Sequence, residues 1–432
     1  MTQSIEVTTE RKTSMPTPAS APIAGPRLVV LTTVADLLGH RDAWDKLAGE
    51  TAEPNVFFEP SVLLPSLRAF GGTRDLALVL VYLDGVSGPT KTPTSQLIGF
   101  FPLEKRTLFG AKLICVHRLW EGDYSYVPTP LLHREHGAVA LRAFFDWLDE
   151  QPRGASLLAI DRLILGGAFH GLLIDEVARR RAHVLVRDSF TRAHFDPDCT
   201  AEVYLSRVLS SKDRRELQRQ RKRLQEQGAT LVSLQSQDDV DRWANDFLAL
   251  EASGWKGRGG SAMASDPADA SFFREMVRDC YAAGKLSSTA WVLDGKPIAM
   301  QILLHSGRGA YGFKTCYDES FGRFAPGLLL EIDLIERASD MGLRWIDSAA
   351  AHYHPVFNRI YRERRCVERW LLSPDHAAGL GLSAWSVARW LRRSLSERKT
   401  ELARSVPEVK QGRQLPDVSG RPFTDLLRRL RD

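Results

Sequence analysis

The sequence predicts an α/β (α+β) fold of two tandem lobes, each a mostly antiparallel central sheet flanked by helices. Three observations carry this expectation. At 432 residues the chain is too long for one simple core and suits two domains plus tails. Strand-like and helix-like apolar periods are interleaved along it, with hairpin signals between strands. The order of segments also recurs. VYLDG at Val81–Gly85 matches WVLDG at Trp291–Gly295, and a helix–strand pair ending at Ile160-Asp161 matches one ending at Ile346-Asp347. The offset between matches varies, so the pattern reads as a diverged duplication.

In the first half, Arg27–Thr32 reads as a short strand, followed by helices around Ala43–Leu47 and Pro60–Phe70. Asp75–Leu83 is dense in apolar and β-branched residues and reads as a strand. Asp84-Gly85 starts a turn, and Gln96–Glu104 and Lys112–Leu119 return as strands. Gly137–Asp149 places Leu141, Phe144, Phe145 and Leu148 at helical spacing. A strand (Leu157–Leu165), a helix (Gly171–Arg181) and a strand (His183–Phe190) close this half.

The second half repeats the order. A basic helix, Asp213–Gln227, stops at Gly228, a residue suited to a helix C-terminus. A strand (Thr230–Leu234) and helices Val240–Ala252 and Ser271–Ala283 follow. Strands Ser288–Leu293 and Pro297–His305 meet at Asp294-Gly295, a strong hairpin signal. Gly309–Tyr317 is a third strand. Helix Pro326–Met341, strand Arg344–Asp347, helix Pro355–Glu363 and strand Val367–Leu372 complete it. The expected boundaries are a disordered leader (1–26), lobes at 27–196 and 197–375, and a basic amphipathic tail (376–432).

Composition narrows the function. Hydrophobic residues at 44% and charged residues at 26% are ordinary for a soluble globular protein. No apolar run is long enough to span a membrane, and the leader has no signal-peptide core. The five scattered cysteines form no CxxC pair, which argues against a disulfide framework or a zinc site. A cytoplasmic protein without a metal is expected. The net charge is +5, and residues 377–432 hold twelve Lys/Arg against six Asp/Glu. A stripe of Leu382, Trp385, Ala388, Leu391 and Leu395 beside Arg389, Arg392 and Arg393 could rest on the inner leaflet or on a partner, or pack back on its own domain. Segment Leu205–Gln227 carries eight Lys/Arg against three Asp/Glu. Without a zinc-finger or RNA-binding signature, nucleic acid is a minor expectation.

The second half resembles the acyltransferase domain of the CelD-like (cellulose-biosynthesis-type) branch of GNAT enzymes, related to FemAB-like transferases. The segments that carry the likeness are Ser210–Gly228, LEASGWKGRGGSAM at Leu250–Met263, WVLDGKPIAMQI, Phe313–Leu330 and IDSAAAHYHPVFNRIYRERR at Ile346–Arg365. The likeness covers about residues 200–375 well and 27–195 in architecture only. It implies two GNAT-like lobes and transfer of an acyl group from acetyl-coenzyme A, or another acyl-coenzyme A, to an amine or hydroxyl. Surface-polysaccharide synthesis makes a saccharide a plausible acceptor. The FemAB-like relatives imply an aminoacyl-tRNA donor as an alternative, and a non-catalytic adaptor in exopolysaccharide production is a third reading.

Candidate site residues follow from the chemistry. A pyrophosphate suits the N–H donors at a helix N-terminus, and Arg323, Pro326, Gly327 and Leu328 stand where a strand passes into a helix. The GNAT cradle is usually Gln/Arg-x-x-Gly-x-Gly/Ala; Arg323 matches its first position, whereas Pro-Gly-Leu replaces the glycine-rich core. Acyl transfer needs a base and oxyanion donors, the latter expected from the Gly309–Tyr317 backbone. Candidate bases are Asp347, His352 and His354; histidine titrates nearest neutrality, and His354, which precedes Pro355 and a helix, is preferred. Tyr361, in IYRERRC, is expected from the resemblance to protonate the leaving thiolate. Trp255 and Lys256, bracketed by glycines, read as an acceptor-binding loop. Lys314, Tyr317 and Asp318 lie along the strand beside it, where Lys314 and Asp318 could instead form an ion pair.

Overall fold

In a computed structural model, residues 25–87, 93–107, 115–151 and 157–373 are described. The expected tail, and the expected leader up to residue 24, lie outside them. Strands β1 (Pro26–Leu31), β2 (Asp75–Ser87), β3 (Pro93–Thr107), β4 (Cys115–Leu119), β5 (Leu131–Leu132), β6 (Leu157–Ile164) and β7 (His183–Phe195) come from the first half. Strands β8 (Thr230–Ser233), β9 (Leu286–Leu293), β10 (Lys296–Ser306), β11 (Gly309–Tyr317), β12 (Trp345–Asp347) and β13 (Glu363–Ser373) come from the second. Helices α1 (Val34–Leu38), α2 (Arg41–Glu50), α3 (Pro60–Phe70), α4 (Gly137–Asp149) and α5 (Ala168–Arg180) belong to the first half. Then come α6 (Ala201–Val208), α7 (Ser211–Glu226), α8 (Val240–Ser253), α9 (Trp255–Arg258), α10 (Pro267–Ala282), α11 (Pro326–Arg337) and α12 (Phe357–Ile360).

All thirteen strands form one sheet, ordered β1-β2-β3-β4-β6-β13-β7-β12-β11-β10-β9-β8, with β5 paired to β3. The order is a mirror about its centre. Each half supplies a meander that ends in one parallel contact, β4 with β6 and β11 with β12. Each then closes with a strand from the other half: β13 lies against β6, and β7 against β12. The closing strands pair antiparallel with each other over Glu363↔His194 to Ser373↔His183. The two lobes predicted from the sequence are present, and they have exchanged their last strands.

Local chemistry explains the elements. Ser210 caps α7 by accepting from Asp213 N–H, and its own hydroxyl meets the Asp213 carboxylate. Asp294 and Gly295 both adopt positive φ, as a two-residue hairpin between β9 and β10 requires. Two expectations shift. The 355–363 helix is reduced to Phe357–Ile360, because Tyr361 is already extended and Glu363 opens β13. The Gly254–Gly257 segment is a helical turn and not a loose loop. A Cβ at Gly257 would lie 1.7 Å from the Ala252 carbonyl oxygen, so this turn admits only glycine there.

One apolar cluster spans both halves, from α2, α3 and α4 to α8, α10 and β11. Phe70 packs on Phe272 at 5.4 Å, and Tyr124 stacks on Phe272 at 5.3 Å. A second cluster lies on the other face of the sheet, where α6, α7 and α11 cover β9–β12. Among the described residues no helix is long and apolar enough to cross a membrane.

Candidate active site

The site begins where two parallel strands part. β11 and β12 are in register only from Gly309↔Trp345 to Tyr311↔Asp347. β12 then ends, while β11 continues to Tyr317. On its other side β11 pairs with β10, but the register slips between Ile302↔Lys314 and Leu303↔Gly312, making Phe313 a bulged extra residue. A bulge next to a parting strand re-aims side chains and frees ladder groups. The gap is a cavity of about 450 Å³.

Its walls come from several elements. β11 supplies Gly312 to Thr315 and Tyr317, and the first turns of α11 supply Gly327, Leu328 and Glu331. The chain after β12 supplies Ser348–Ala350 and His354–Phe357; Lys256 and, from the first half, Tyr126 complete the lining. Ala325 (φ 49) and Ala349 (φ 50) both adopt the left-handed conformation and both border the cavity. Such strain in alanine persists only where surrounding structure holds it, and it gathers at working sites.

At the head of α11, Ala325 is the N-cap residue and Pro326 the first helical residue. Leu329 N–H reaches the Ala325 carbonyl, whereas the N–H groups of Gly327 and Leu328 precede the first intrahelical acceptor. A Cβ at Gly327 would come to 3.3 Å from Tyr317 Cδ1, a close contact to which the Tyr317 ring must give by a few tenths of an ångström. This end of the helix can therefore present N–H donors and a positive dipole end to an anion in the cavity.

The sequence-derived candidates separate here. His354, Lys256, Lys314, Tyr317, Gly327 and Leu328 all line the cavity. The His354 ring accepts at Nδ1 from Phe357 N–H at 3.4 Å, so its proton sits on Nε2. Burial, with a smaller push from Lys256, lowers its pKa. Pro326 is buried in the first turn. Arg323 opens instead onto a neighbouring recess of about 370 Å³ with Arg223 and Gln220 of α7, its guanidinium 4.7 Å over the Phe324 ring. Trp255 is 62% exposed, so it is not a packed helix end.

Other candidates take structural roles. Asp347 is fully buried and bonded to Arg192 (2.9 Å) and Arg365 (3.2 Å), with Ala349 N–H donating to it. Burial would raise this carboxyl, but the two guanidiniums outweigh it and hold the pKa below the ordinary value. An aspartate committed to two arginines is no base; it fixes the centre of the sheet. Asp318 accepts from Ser320 N–H and Oγ–H and so holds a turn. The alternative Lys314–Asp318 pair does not form, because Lys314 bonds Glu251 of α8 at 3.0 Å. Tyr361 is buried beneath the cavity wall.

The residue that sequence reasoning missed is Glu331, on the second turn of α11. It lines the cavity and accepts from Tyr361 Oη–H (3.1 Å), Gln301 Nε2–H (2.6 Å) and Thr315 Oγ1–H (3.4 Å). Burial lifts its pKa to about 7 in spite of these bonds. A carboxyl poised near neutrality beside a cavity has the properties of a general base. The available signal was a carboxylate set inside the apolar run GLLLEIDLI.

Residues 211–354 match the family model described as the acetyltransferase (GNAT) domain. The second half thus carries a GNAT acetyltransferase domain, and the architecture is GNAT-like. Among solved structures, the crystal structure of FemX is similar at a TM-score of 0.53 and 10% identity, covering 80% of this chain and 97% of that one. At that identity it shows a shared fold. A conserved protein of unknown function from Bacteroides thetaiotaomicron has a TM-score of 0.47 at 11% identity, over 79% and 97% of the two chains. The C-terminal domain of a putative lysylphosphatidylglycerol synthetase from Agrobacterium fabrum has 0.44 at 11%, over 82% and 97%. No curated protein matches the chain.

Proposed function

We propose that this protein transfers an acyl group, most simply acetyl, from acyl-coenzyme A to an amine or hydroxyl of its acceptor. The observation that carries the reading is the cavity at the parting of β11 and β12, with one wall formed by the first two turns of α11, from Gly327 to Glu331. The N–H groups of Gly327 and Leu328 suit a pyrophosphate, and the freed backbone edge of β11 suits the oxygen that gains charge as the thioester carbonyl is attacked. In this reading Glu331 takes the proton from the attacking amine or hydroxyl. The new C–N or C–O bond forms as the C–S bond breaks, and the proton that Glu331 has taken balances the one the departing sulfur gains to leave as the thiol. Tyr361, which donates to Glu331, is a positioning residue. His354 contributes an N–H donor from Nε2. The CelD-like resemblance makes a saccharide the acceptor to screen first.

Titration calorimetry with acetyl-coenzyme A tests this directly. Saturable binding at micromolar to sub-millimolar ligand is expected. Absence of binding at millimolar ligand overturns the reading.

A further inference from the structure

The two faces of β11 are chemically unlike. Thr315 bonds Glu331, and Tyr317 packs on Gly327, so this face belongs to α11 and the expected donor. Lys314 and Cys316 turn to α8, where Lys314 meets Glu251 and Cys316 Sγ lies 3.8 Å from the Phe247 carbonyl oxygen. On that side Lys256 joins Lys314 on the same carboxylate atom. Glu251 Oε1 is 2.9 Å from Lys256 Nζ and 3.0 Å from Lys314 Nζ, while Oε2 takes the Met263 N–H.

Two ammonium groups therefore share one buried carboxylate, and both lysines line the cavity. Each ammonium has three donors, so donors remain after the bond to Glu251. A second carboxylate, Asp269, acts on Lys314 from further off without bonding it: Asp269 accepts from Tyr124 Oη–H at 2.7 Å, and Lys314 lies 5.2 Å over that same Tyr124 ring. Burial pushes the Lys314 pKa down, Glu251 opposes that shift, and the neighbouring Lys256 adds to it. Free ammonium donors thus face a half-buried space, where a charge–charge contact is screened less than on an open surface.

We infer that the acceptor is anionic, carrying a carboxylate or phosphate that binds Lys256 and Lys314 and so brings its amine or hydroxyl to the edge of β11. The assignment of this group to the acceptor rests on the acyl-transfer reading; the anion site itself does not. An acidic amine or a phosphorylated or acidic sugar has the required chemistry.

Binding of three small amines to the full chain at low salt, with and without saturating coenzyme A, tests it. β-Alanine carries a carboxylate, phosphoethanolamine a phosphate, and ethanolamine neither. At least one anionic probe is expected to bind in the millimolar range, about tenfold or more tighter than ethanolamine. Lys256→Met, at a partly exposed position, is expected to remove that preference while coenzyme A still binds and the melting temperature holds; Lys314→Met is the second variant. Equal binding of all three probes, no binding, or a preference that survives in both variants overturns the proposal. If the anionic probe binds but coenzyme A does not, the donor reading fails and the anion site stands.

Discussion

Tyr361 Oη–H donates to Glu331 Oε2 across 3.1 Å, within the wall that separates the cavity from the core. Both groups are buried, but they act on each other in opposite senses: burial and then the Glu331 charge raise Tyr361 well above its ordinary value, whereas the Tyr361 hydrogen bond draws Glu331 down against the larger lift of burial. Glu331→Gln keeps the hydrogen-bond shape and removes the titration. We expect kcat to fall by about 10²–10⁴ with acetyl-coenzyme A affinity retained, and the ascending limb near pH 7 to vanish from the rate profile. Initial rates from pH 5.5 to 9 check this.

The same carboxyl has a stability signature. Its pKa rises from an ordinary 4.5 to about 7 on folding, so between those values the native state holds a proton that the unfolded chain has released. The contribution is fully present below 4.5 and is lost as pH rises through 7. Its size is on the order of 3 kcal/mol, at about 1.4 kcal/mol per unit. Denaturant melts of the wild type should weaken over that window relative to Glu331→Gln; parallel pH profiles would show that Glu331 does not titrate there.

At the head of α11, Gly327→Asp should separate folding from binding. An acidic side chain in a first helical turn favours the helix dipole by about 0.3–1 kcal/mol, although crowding of Tyr317 takes back part of that. The same charge opposes a pyrophosphate, so acetyl-coenzyme A affinity should drop by about tenfold or more with the melting temperature nearly unchanged. Calorimetry and thermal melts on one sample read both effects.

Much of the fold was legible because it is local. The Asp294-Gly295 hairpin, the stop at Gly228 and the turn into Pro326 each depend on a few adjacent residues, and all are where the sequence puts them. The partners of Lys314 and Asp347 were not legible. Asp318 lies four residues from Lys314 in sequence, but Glu251 waits on a helix 63 residues away; Arg192 reaches Asp347 across 155. Glu331 was hidden for the opposite reason, since a carboxylate in an apolar helix reads as a solvent-facing position until the sheet is seen to cover it. The strand exchange was also beyond sequence reading. β7 and β13 have the same period whichever half they close, and only long-range pairing decides.

Asp347 tests how much the central exchange depends on charge. Asp347→Ala leaves the buried Arg192 and the partly buried Arg365 without their counter-charge, a loss of about 3–5 kcal/mol. In the wild type the folded pKa is depressed, so this stability is present above the ordinary aspartate value and is lost as pH falls through the lower folded one. The variant should be less stable at neutral pH and lack that acid-side loss, which urea melts at pH 7 and pH 3.5 would reveal. Equal stability of the two proteins at pH 7 would refute the role.

The exchange of closing strands makes a stronger demand. β13 is paired along both edges, with β6 and with β7, and β7 reaches on to β12. Chain 27–196 alone would therefore expose the edge of β6 that β13 covers, and chain 197–375 alone the edge of β12 that β7 covers. The β12 edge is short, but β6 and the long strands β7 and β13 would also lose their partners, and such edges invite aggregation. Each fragment expressed by itself should be insoluble or unfolded, and the two expressed together should co-purify as one complex that melts in a single transition. Two fragments that fold and stay monomeric when separate would mean that each half can close its own sheet, and the observed exchange would then be a matter of connectivity and not of stability.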